Sequence, residues 1–162
     1  MDHIRRVVVG FGSNLGDRRQ NIAAAILALR GDGDVHVMAQ SPIYVTEAEG
    51  GPPGQGAYLN GALLVLTALE ARDLLMRLHT IETSLGRTRD VLHGPRTLDL
   101  DILWIEGETI CEDGLVVPHA QLLSRAFMLR PLLDVAGDAS DAESGLVFAD
   151  HPLAQTSLRK AS

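Results

Sequence analysis

Apolar and polar residues alternate along the chain in a way that predicts several short strands. The β-branched segment RRVVVGF, residues 5–11, predicts a buried strand. VHVMAQSPIYVT predicts a second strand that is interrupted or bent near Pro42. YLNGALLVLTAL predicts a third strand, and the stretch between it and the second, residues 47–57, has the Gly and Pro content typical of a loop.

Two helices are predicted between these strands from residues at helical spacing. Asp17 and Gln20 form a capping pair for the first helix, which we expect to end at Gly31 and Gly33. Gly86 is a natural end for the second helix. The predicted apolar faces consist of Ile22, Ile26 and Leu27 in the first helix and of Leu74, Leu78, Ile81 and Leu85 in the second.

The segment HGPRTLDLDIL, residues 93–103, combines a strand pattern with an unusual pair of acids. Side chains two apart on a strand point to the same side. Like charges at that spacing repel each other unless water, a cation or a proton lies between them. The acidic face is therefore either a solvated strand surface or a metal site. The predicted polar face carries Thr97, Asp99 and Asp101, and the predicted apolar face carries Leu98, Leu100, Ile102 and Trp104.

The order of the elements is strand, helix, strand, strand, helix, strand. This order predicts the α+β class and a ferredoxin-like βαββαβ antiparallel sheet. A hairpin over residues 109–117 and short helices after it form a C-terminal extension, and the tail from about residue 138 is expected to be partly irregular. Neither an internal repeat nor a linker divides the sequence, so it predicts one domain over residues 1–162.

Composition and charge exclude several classes of protein. The 162 residues are 46% hydrophobic and 22% charged, which is ordinary for a globular domain. The single cysteine excludes an internal disulfide framework and fits a reducing compartment, so we expect a cytoplasmic protein. No segment has the pattern of a signal peptide or the length of a membrane span. The net charge of -7 argues against a general nucleic-acid binder but not against a small anionic substrate.

The glycines of GFGSNLG, namely Gly10, Gly12 and Gly16, lie between the first strand and the first helix. They resemble a dinucleotide-binding fingerprint, but the third glycine falls one residue late for G-x-G-x-x-G. We therefore predict a tight turn that needs backbone freedom. Neither a P-loop sequence nor the HRD and DFG motifs of protein kinases occur in the chain.

Three arginines flank the acid pair in sequence. Arg87, Arg89 and Arg96 could grip phosphate oxygens, because a guanidinium fork makes two-point contacts with them. Mg²⁺ is held by one or two carboxylates together with phosphate oxygens and water, so Asp99 and Asp101 could supply those carboxylates. Surface salt bridges between the arginines and the acids explain the same pattern. The residues alone leave both interpretations open.

Several segments together resemble one family, the 6-hydroxymethyl-7,8-dihydropterin pyrophosphokinases (HPPK) of folate biosynthesis. The matching stretches are GFGSNLGDRRQNI, SPIYVT, QGAYLNGAL, IETSLGRTR, HGPRTLDLDIL and VPHAQLLSRAFMLRPL, in the order in which the family has them. GPRTLDLD is the most specific. The resemblance implies transfer of the terminal diphosphate of ATP to the hydroxymethyl group of a reduced pterin, which releases AMP.

The resemblance also implies roles for individual residues. Asp99 and Asp101 match ligands of two Mg²⁺ ions, and Arg87, Arg89 and Arg96 match phosphate-gripping residues. Small-molecule substrates, ATP and the pterin, are the expected partners, without nucleic acid or membrane, for a monomer or weak homodimer. The pterin pocket is matched by Thr46, Tyr58, Asn60 and Phe127, and the nucleotide side by His119, Arg125 and, nearby, Glu82.

The sequence departs from the family pattern in four places. His93 stands where an aromatic residue precedes GPR, and Leu92 stands in a shortened arginine loop where many relatives carry a basic residue. Residues 47–49 replace a Pro-containing stretch after Thr46, and Ala120 follows His119 where Tyr or Pro is common. The Asp pair and the pocket residues match the pattern.

Two other functions are open at this stage. A non-catalytic protein that binds a pterin or a nucleotide would keep the pocket and lose the loop chemistry. An RNA-binding sheet of the same topology fits the order of elements, but the chain lacks the aromatic RNP pattern and a basic face.

Overall fold

An antiparallel sheet carries three helices in the computed structural model, which describes residues 3–47, 56–86 and 97–161. The strands of the main sheet are β1 (Arg5–Ser13), β2 (Val35–Gln40), β3 (Tyr44–Thr46), β4 (Tyr58–Thr67), β5 (Asp99–Ile105) and β8 (Arg159–Lys160). A separate hairpin consists of β6 (Ile110–Glu112) and β7 (Leu115–Val117). The helices are α1 (Arg18–Arg30), α2 (Ala71–Ser84) and α3 (Ala126–Val135).

The strand order in the main sheet is β5-β1-β4-β3-β8, and β2 also pairs with β4. Every one of these pairings is antiparallel. The predicted interruption near Pro42 is confirmed, because β2 ends before it and β3 begins after it. Ser41 keeps the two strands attached to β4 across the break: its backbone N–H donates to the Ala62 carbonyl, and its hydroxyl accepts from the Ala62 N–H, each at 2.9 Å.

The sheet separates two apolar layers because the side chains of its strands alternate between the faces. One face packs against α1 and α2, through residues such as Val9, Leu63 and Leu78. The other face packs against α3, through Val8 and Leu129 among others. Most of the functional residues described below lie at one end of this second face, and Glu82 reaches them from α2.

A β-bulge in β5 overturns one prediction. Leu98, Leu100 and Ile102 are buried on the face toward α1 and α2, as expected. Trp104 instead lies on the α3 face, beside Leu103. The register with β1 shifts here, and two adjacent residues of β5 therefore point the same way. A strict alternation cannot anticipate such an extra residue.

Helix α1 begins as predicted, and its buried face differs from the predicted one. The carboxylate of Asp17 accepts a hydrogen bond from the Gln20 backbone N–H at 3.1 Å, and Gly31 caps the other end. Leu27, which was expected on the apolar face, is 72% exposed, whereas Leu29 is fully buried. Because Ile22, Ala25 and Leu29 recur at spacings of three and four, they define the stripe that meets the sheet.

The end of α2 is confirmed at Gly86, which has a φ of +88° and follows the C-cap residue Leu85. Beyond α3, two short 3-10 turns and the two-residue strand β8 make up a largely irregular tail, as expected from residue 138 onward. In the ranges that the structure describes, none of the helices has the length and apolar character needed to cross a membrane.

We expect Leu29→Ala to lower the free energy of unfolding by about 2–5 kcal/mol, because it removes a fully buried side chain from the core. The matched control is Leu27→Ala on the same helix, which should stay within about 0.5 kcal/mol of the unchanged protein because Leu27 is exposed. Urea unfolding followed by circular dichroism measures both. Equal losses in the two variants would contradict the burial assignment.

Candidate active site

A cavity of about 220 Å³ lies at one end of the sheet, against the start of α3. Because β1 runs antiparallel to β4 and β5, the end of β1 and the beginnings of β4 and β5 meet at the same edge of the sheet. The N-terminal turn of α3 forms the opposite wall. The cavity contains every described residue that the sequence predicted for a site, namely Thr46, Tyr58, Asn60, Glu82, Asp99, Asp101, His119, Arg125 and Phe127.

Asp99 and Asp101 both line this cavity and are partly buried. They lie opposite Gly12 and Gly10 of β1 in the strand register, so no side chain of these two partners covers the carboxylates. The strand alternation that distinguished the acidic face of β5 from its apolar face is thus confirmed at this end of the strand. Leu100, between the two acids, is buried on the other side.

The donor set fits a hard divalent cation. Two carboxylates face one cavity, and the residues that the structure describes contain no group of three His, Cys, Asp or Glu side chains able to enclose a metal by themselves. Mg²⁺ takes only one or two carboxylates and completes its shell with phosphate oxygens and water. Asp99 and Asp101 are the residues that would hold it.

Glu82 lies beneath the acid pair rather than in open solvent. Only 1% of its surface is exposed, and its Oε2 accepts a hydrogen bond of 2.7 Å from the backbone N–H of Leu100. That N–H belongs to the peptide bond that joins Asp99 to Leu100, one residue before Asp101. Helix α2 therefore supports β5 at the point where the strand presents its two carboxylates.

A second group of side chains forms a polar and aromatic subsite. The amide of Asn60 donates to the Thr46 hydroxyl across the β3–β4 pair, which fixes the orientation of both groups. Tyr58 shares this face of β4, as its spacing predicted, and Phe127 enters from α3. The Arg125 guanidinium lies 5.5 Å from the centre of the Phe127 ring. Two rings and an amide thus surround one space, which suits a flat heterocycle with polar edges.

His119 faces the same cavity from the segment after β7. Its backbone N–H donates to the Leu103 carbonyl at 2.9 Å, and its Nδ1 accepts from the Gln121 backbone N–H at 3.0 Å. Burial lowers the pKa of His119 below its usual value, and the positive charge of Arg125 lowers it further, against an opposing effect of Asp99. The ring is therefore neutral at pH 7, with its proton on Nε2 as a hydrogen-bond donor.

Two features of the cavity differ from the sequence analysis or were missed by it. Gly10 and Gly12 were predicted to form a tight turn, but they lie inside β1 and line the cavity; only Gly16, with a φ of +72°, is in the turn. Their spacing of two within a β-branched run was the available signal. His79 of α2 was missed, since a histidine three residues before Glu82 is unremarkable without the fold.

Some predicted residues lie outside the described residues. These are the arginines Arg87, Arg89 and Arg96, together with Leu92 and His93 of the same segment.

We expect Gly12→Ala to weaken the polar subsite, because a Cβ at this position would lie 2.7 Å from the Asn60 side-chain oxygen and displace an amide that is bound to Thr46. The KM for a ligand of this subsite should rise about tenfold, which corresponds to about 1.4 kcal/mol. Gly33→Ala is the matched control, since a Cβ there meets no atom within 4 Å. Steady-state kinetics of both variants measures the effect, and an unchanged KM in Gly12→Ala would contradict it.

Comparison with known proteins identifies the class of this fold and site. The family model for 7,8-dihydro-6-hydroxymethylpterin-pyrophosphokinase (HPPK) matches residues 8–137. The 2-amino-4-hydroxy-6-hydroxymethyldihydropteridine pyrophosphokinase of Pseudomonas aeruginosa is 42% identical over 135 residues, which cover 83% of each chain. The enzyme of the same name from Bacillus subtilis is 40% identical over 127 residues, covering 78% of this chain and 75% of the relative. The chain therefore belongs to the HPPK family of folate synthesis.

Other relatives are longer proteins. The mitochondrial folate synthesis bifunctional protein of Pisum sativum is 37% identical over 85% of this chain, and the match spans 26% of the plant protein. The crystal structure of Plasmodium falciparum HPPK-DHPS with pteroate superposes with a TM-score of 0.70, at 13% identity, over 91% of this chain and 42% of that one. At that identity the superposition supports the fold alone.

Proposed function

We propose that this chain transfers the terminal diphosphate of ATP to the hydroxymethyl group of 6-hydroxymethyl-7,8-dihydropterin, with Mg²⁺ as the required cation. The observation that carries the proposal is the cavity in which the Asp99–Asp101 pair faces the subsite of Asn60 and Phe127. A cation-binding edge and a ring-binding subsite in one cavity are what this reaction requires. The family membership established above supports the same activity.

The reaction forms one bond and breaks another at the β-phosphorus. The hydroxymethyl oxygen attacks this atom and releases its proton to water, while the bond between the β-phosphorus and the oxygen that AMP retains breaks on the opposite side. Such a transfer depends on alignment and on neutralising phosphate charge. Mg²⁺, when bound, neutralises that charge and polarises the reacting phosphate. We assign no general base to the chain.

The residues of this chain supply alignment. Asn60, held by Thr46, offers hydrogen bonds to the edge of the pterin ring, and Tyr58 and Phe127 offer its faces two apolar surfaces. His119, with a proton on Nε2, and Arg125 donate toward the nucleotide phosphates. Arg87, Arg89 and Arg96 are proposed to grip the phosphates as well, on the basis of the family resemblance.

Several finer features belong to this proposal. Two Mg²⁺ ions, a cytoplasmic location and a monomeric or weakly dimeric state are proposed from the family resemblance and the cysteine usage. We also propose that residues 1–162 form one domain of ferredoxin-like topology. The observed strand order, with β2 and β3 sharing the place of one strand beside β4, supports that classification.

The product of ATP tests the proposed function. We expect the purified chain, given ATP, Mg²⁺ and 6-hydroxymethyl-7,8-dihydropterin, to form AMP and the pterin diphosphate in equal amounts, as measured by liquid chromatography. Formation of ADP would refute diphosphate transfer. Tight binding of both substrates without any product would instead favour the non-catalytic binding protein.

A further inference from the structure

A hydrogen bond joins α3 to the sheet at the end of the helix far from the cavity. The hydroxyl of Tyr44, on β3, donates to Oδ2 of Asp134 in the last turn of α3. Tyr44 is only 4% exposed whereas Asp134 is exposed, so the contact is partly buried. Burial raises the pKa of Tyr44 to about 12, and the hydrogen bond to Asp134 contributes to the rise. The phenol therefore remains a donor throughout the neutral range.

The position of Asp134 is unfavourable for the helix by itself. A carboxylate in the last turn faces the negative end of the helix dipole. Arg130 precedes it by one turn, and its guanidinium donates to the Ala154 carbonyl at 2.6 Å. Among the described residues, the hydrogen bond that the Asp134 carboxylate accepts from another element is the one from Tyr44. This acid therefore acts between elements and not within its own helix.

Tyr44 and Asp134 lie on β3 and α3, two elements that also carry residues lining the cavity. Tyr44 pairs directly with Asn60 in the β3–β4 register, and Thr46 follows two residues later on the same strand. Asp134 is seven residues after Phe127, or about 10 Å along the axis of α3, and Pro131 between them cannot donate the helical hydrogen bond to the Phe127 carbonyl. The middle of α3 packs on the sheet through Leu129 and Leu132, so a contact at its far end limits tilting of the helix about that packed region and helps to keep the Phe127 ring opposite Asn60.

We propose that the Tyr44–Asp134 hydrogen bond is a positioning contact that sets the separation of Phe127 from Asn60, and thereby the affinity of the cavity for a flat pterin ring. This inference rests on the proposed function, since it concerns the same subsite. Neither residue is among those that line the cavity. Asp99 and the nucleotide residue His119 lie on other elements, so their geometry does not depend on the contact. Arg125 is the N-cap residue of α3, but its long side chain can follow a small shift of the helix, so the nucleotide side should change less than the ring-binding side.

Tyr44→Phe tests the inference because it removes the hydroxyl and keeps the ring that fills the space. We expect the KM for the pterin to rise about fivefold, with the KM for ATP and kcat changed less than about twofold. Asp134→Ala should give the same split, and the double variant should be no worse than either single one. Asp134→Asn keeps an oxygen acceptor for the phenol, so it should restore nearly normal kinetics.

Glu143→Ala, at an exposed position of the C-terminal tail, is the control and should leave both KM values unchanged. A pterin KM that is unchanged in Tyr44→Phe, or equal rises in both KM values, would overturn the inference. Calorimetric titration of the pterin into each variant, with Mg²⁺ and a non-hydrolysable ATP analogue present, measures the pterin affinity without turnover. It therefore tests the positioning contact separately from the proposed function. If the protein without substitutions binds the pterin but forms no AMP from ATP, the proposed function is contradicted. Weaker pterin binding in Tyr44→Phe would still support the positioning contact.

Discussion

Asp99→Asn and Asp101→Asn should each reduce AMP formation at least 100-fold while leaving the protein folded. The amide has nearly the shape of the carboxylate but lacks the charge that binds a hard cation. Both side chains line the cavity opposite glycines, so neither change disturbs a packed neighbour on β1. Because a bound cation supplies several kcal/mol of charge stabilisation in the transition state, its loss has a large effect on rate.

Initial rates of AMP formation over a range of Mg²⁺ concentrations measure this prediction. Asp113→Asn is the matched control, since Asp113 lies exposed in the turn of the β6–β7 hairpin. Partial recovery at high Mg²⁺ would identify a weakened cation site. Nearly normal rates in both variants at low Mg²⁺ would remove the acid pair from the mechanism.

Glu82→Ala is expected to lose both stability and activity. The change removes the acceptor of the Leu100 N–H, which is buried, and an unsatisfied buried donor costs about 1–3 kcal/mol. Leu100 lies between Asp99 and Asp101 on β5. Loss of its support should therefore misplace both carboxylates and reduce the rate by about 10–100-fold, as expected for a group that orients metal ligands.

Glu82→Gln removes the charge of the side chain but keeps an oxygen that can still accept the hydrogen bond from the Leu100 N–H. We expect this variant to unfold at nearly the normal urea concentration and to retain much more activity than Glu82→Ala. The KM for ATP should be measured in both variants, since the family resemblance implies that Glu82 lies near the nucleotide. A stable Glu82→Ala protein with normal kinetics would show that Leu100 does not need this acceptor.

The order and type of the main elements were predictable because local patterns determine them. Alternation of apolar residues identified β5, and the cap at Asp17 identified the start of α1. The errors come from effects that depend on neighbouring elements. Trp104 changes face because of a bulge against β1, and Leu27 is exposed because the sheet contacts α1 through Leu29.

The candidate site was predictable to different extents. The spacing of Asp99 and Asp101 alone left a choice between water and a metal, and the family resemblance supplied Thr46, Asn60 and Phe127, which the fold places in the same cavity. The contributions of Gly10 and Gly12 were not foreseen. A glycine in a strand matters here for the space that it leaves, and that space exists only once the facing strand is in register.

The antiparallel edge at which β1, β4 and β5 meet also has a consequence for folding. Gly12, Asn60, Asp99 and Phe127 are separated by dozens of residues in sequence, so the cavity has no counterpart in any local fragment of the chain. Contacts of such long range form slowly, because loop closure must precede them. The chain can therefore bind substrate only after the sheet and α3 have assembled. Bound substrate in turn stabilises the assembled state by mass action.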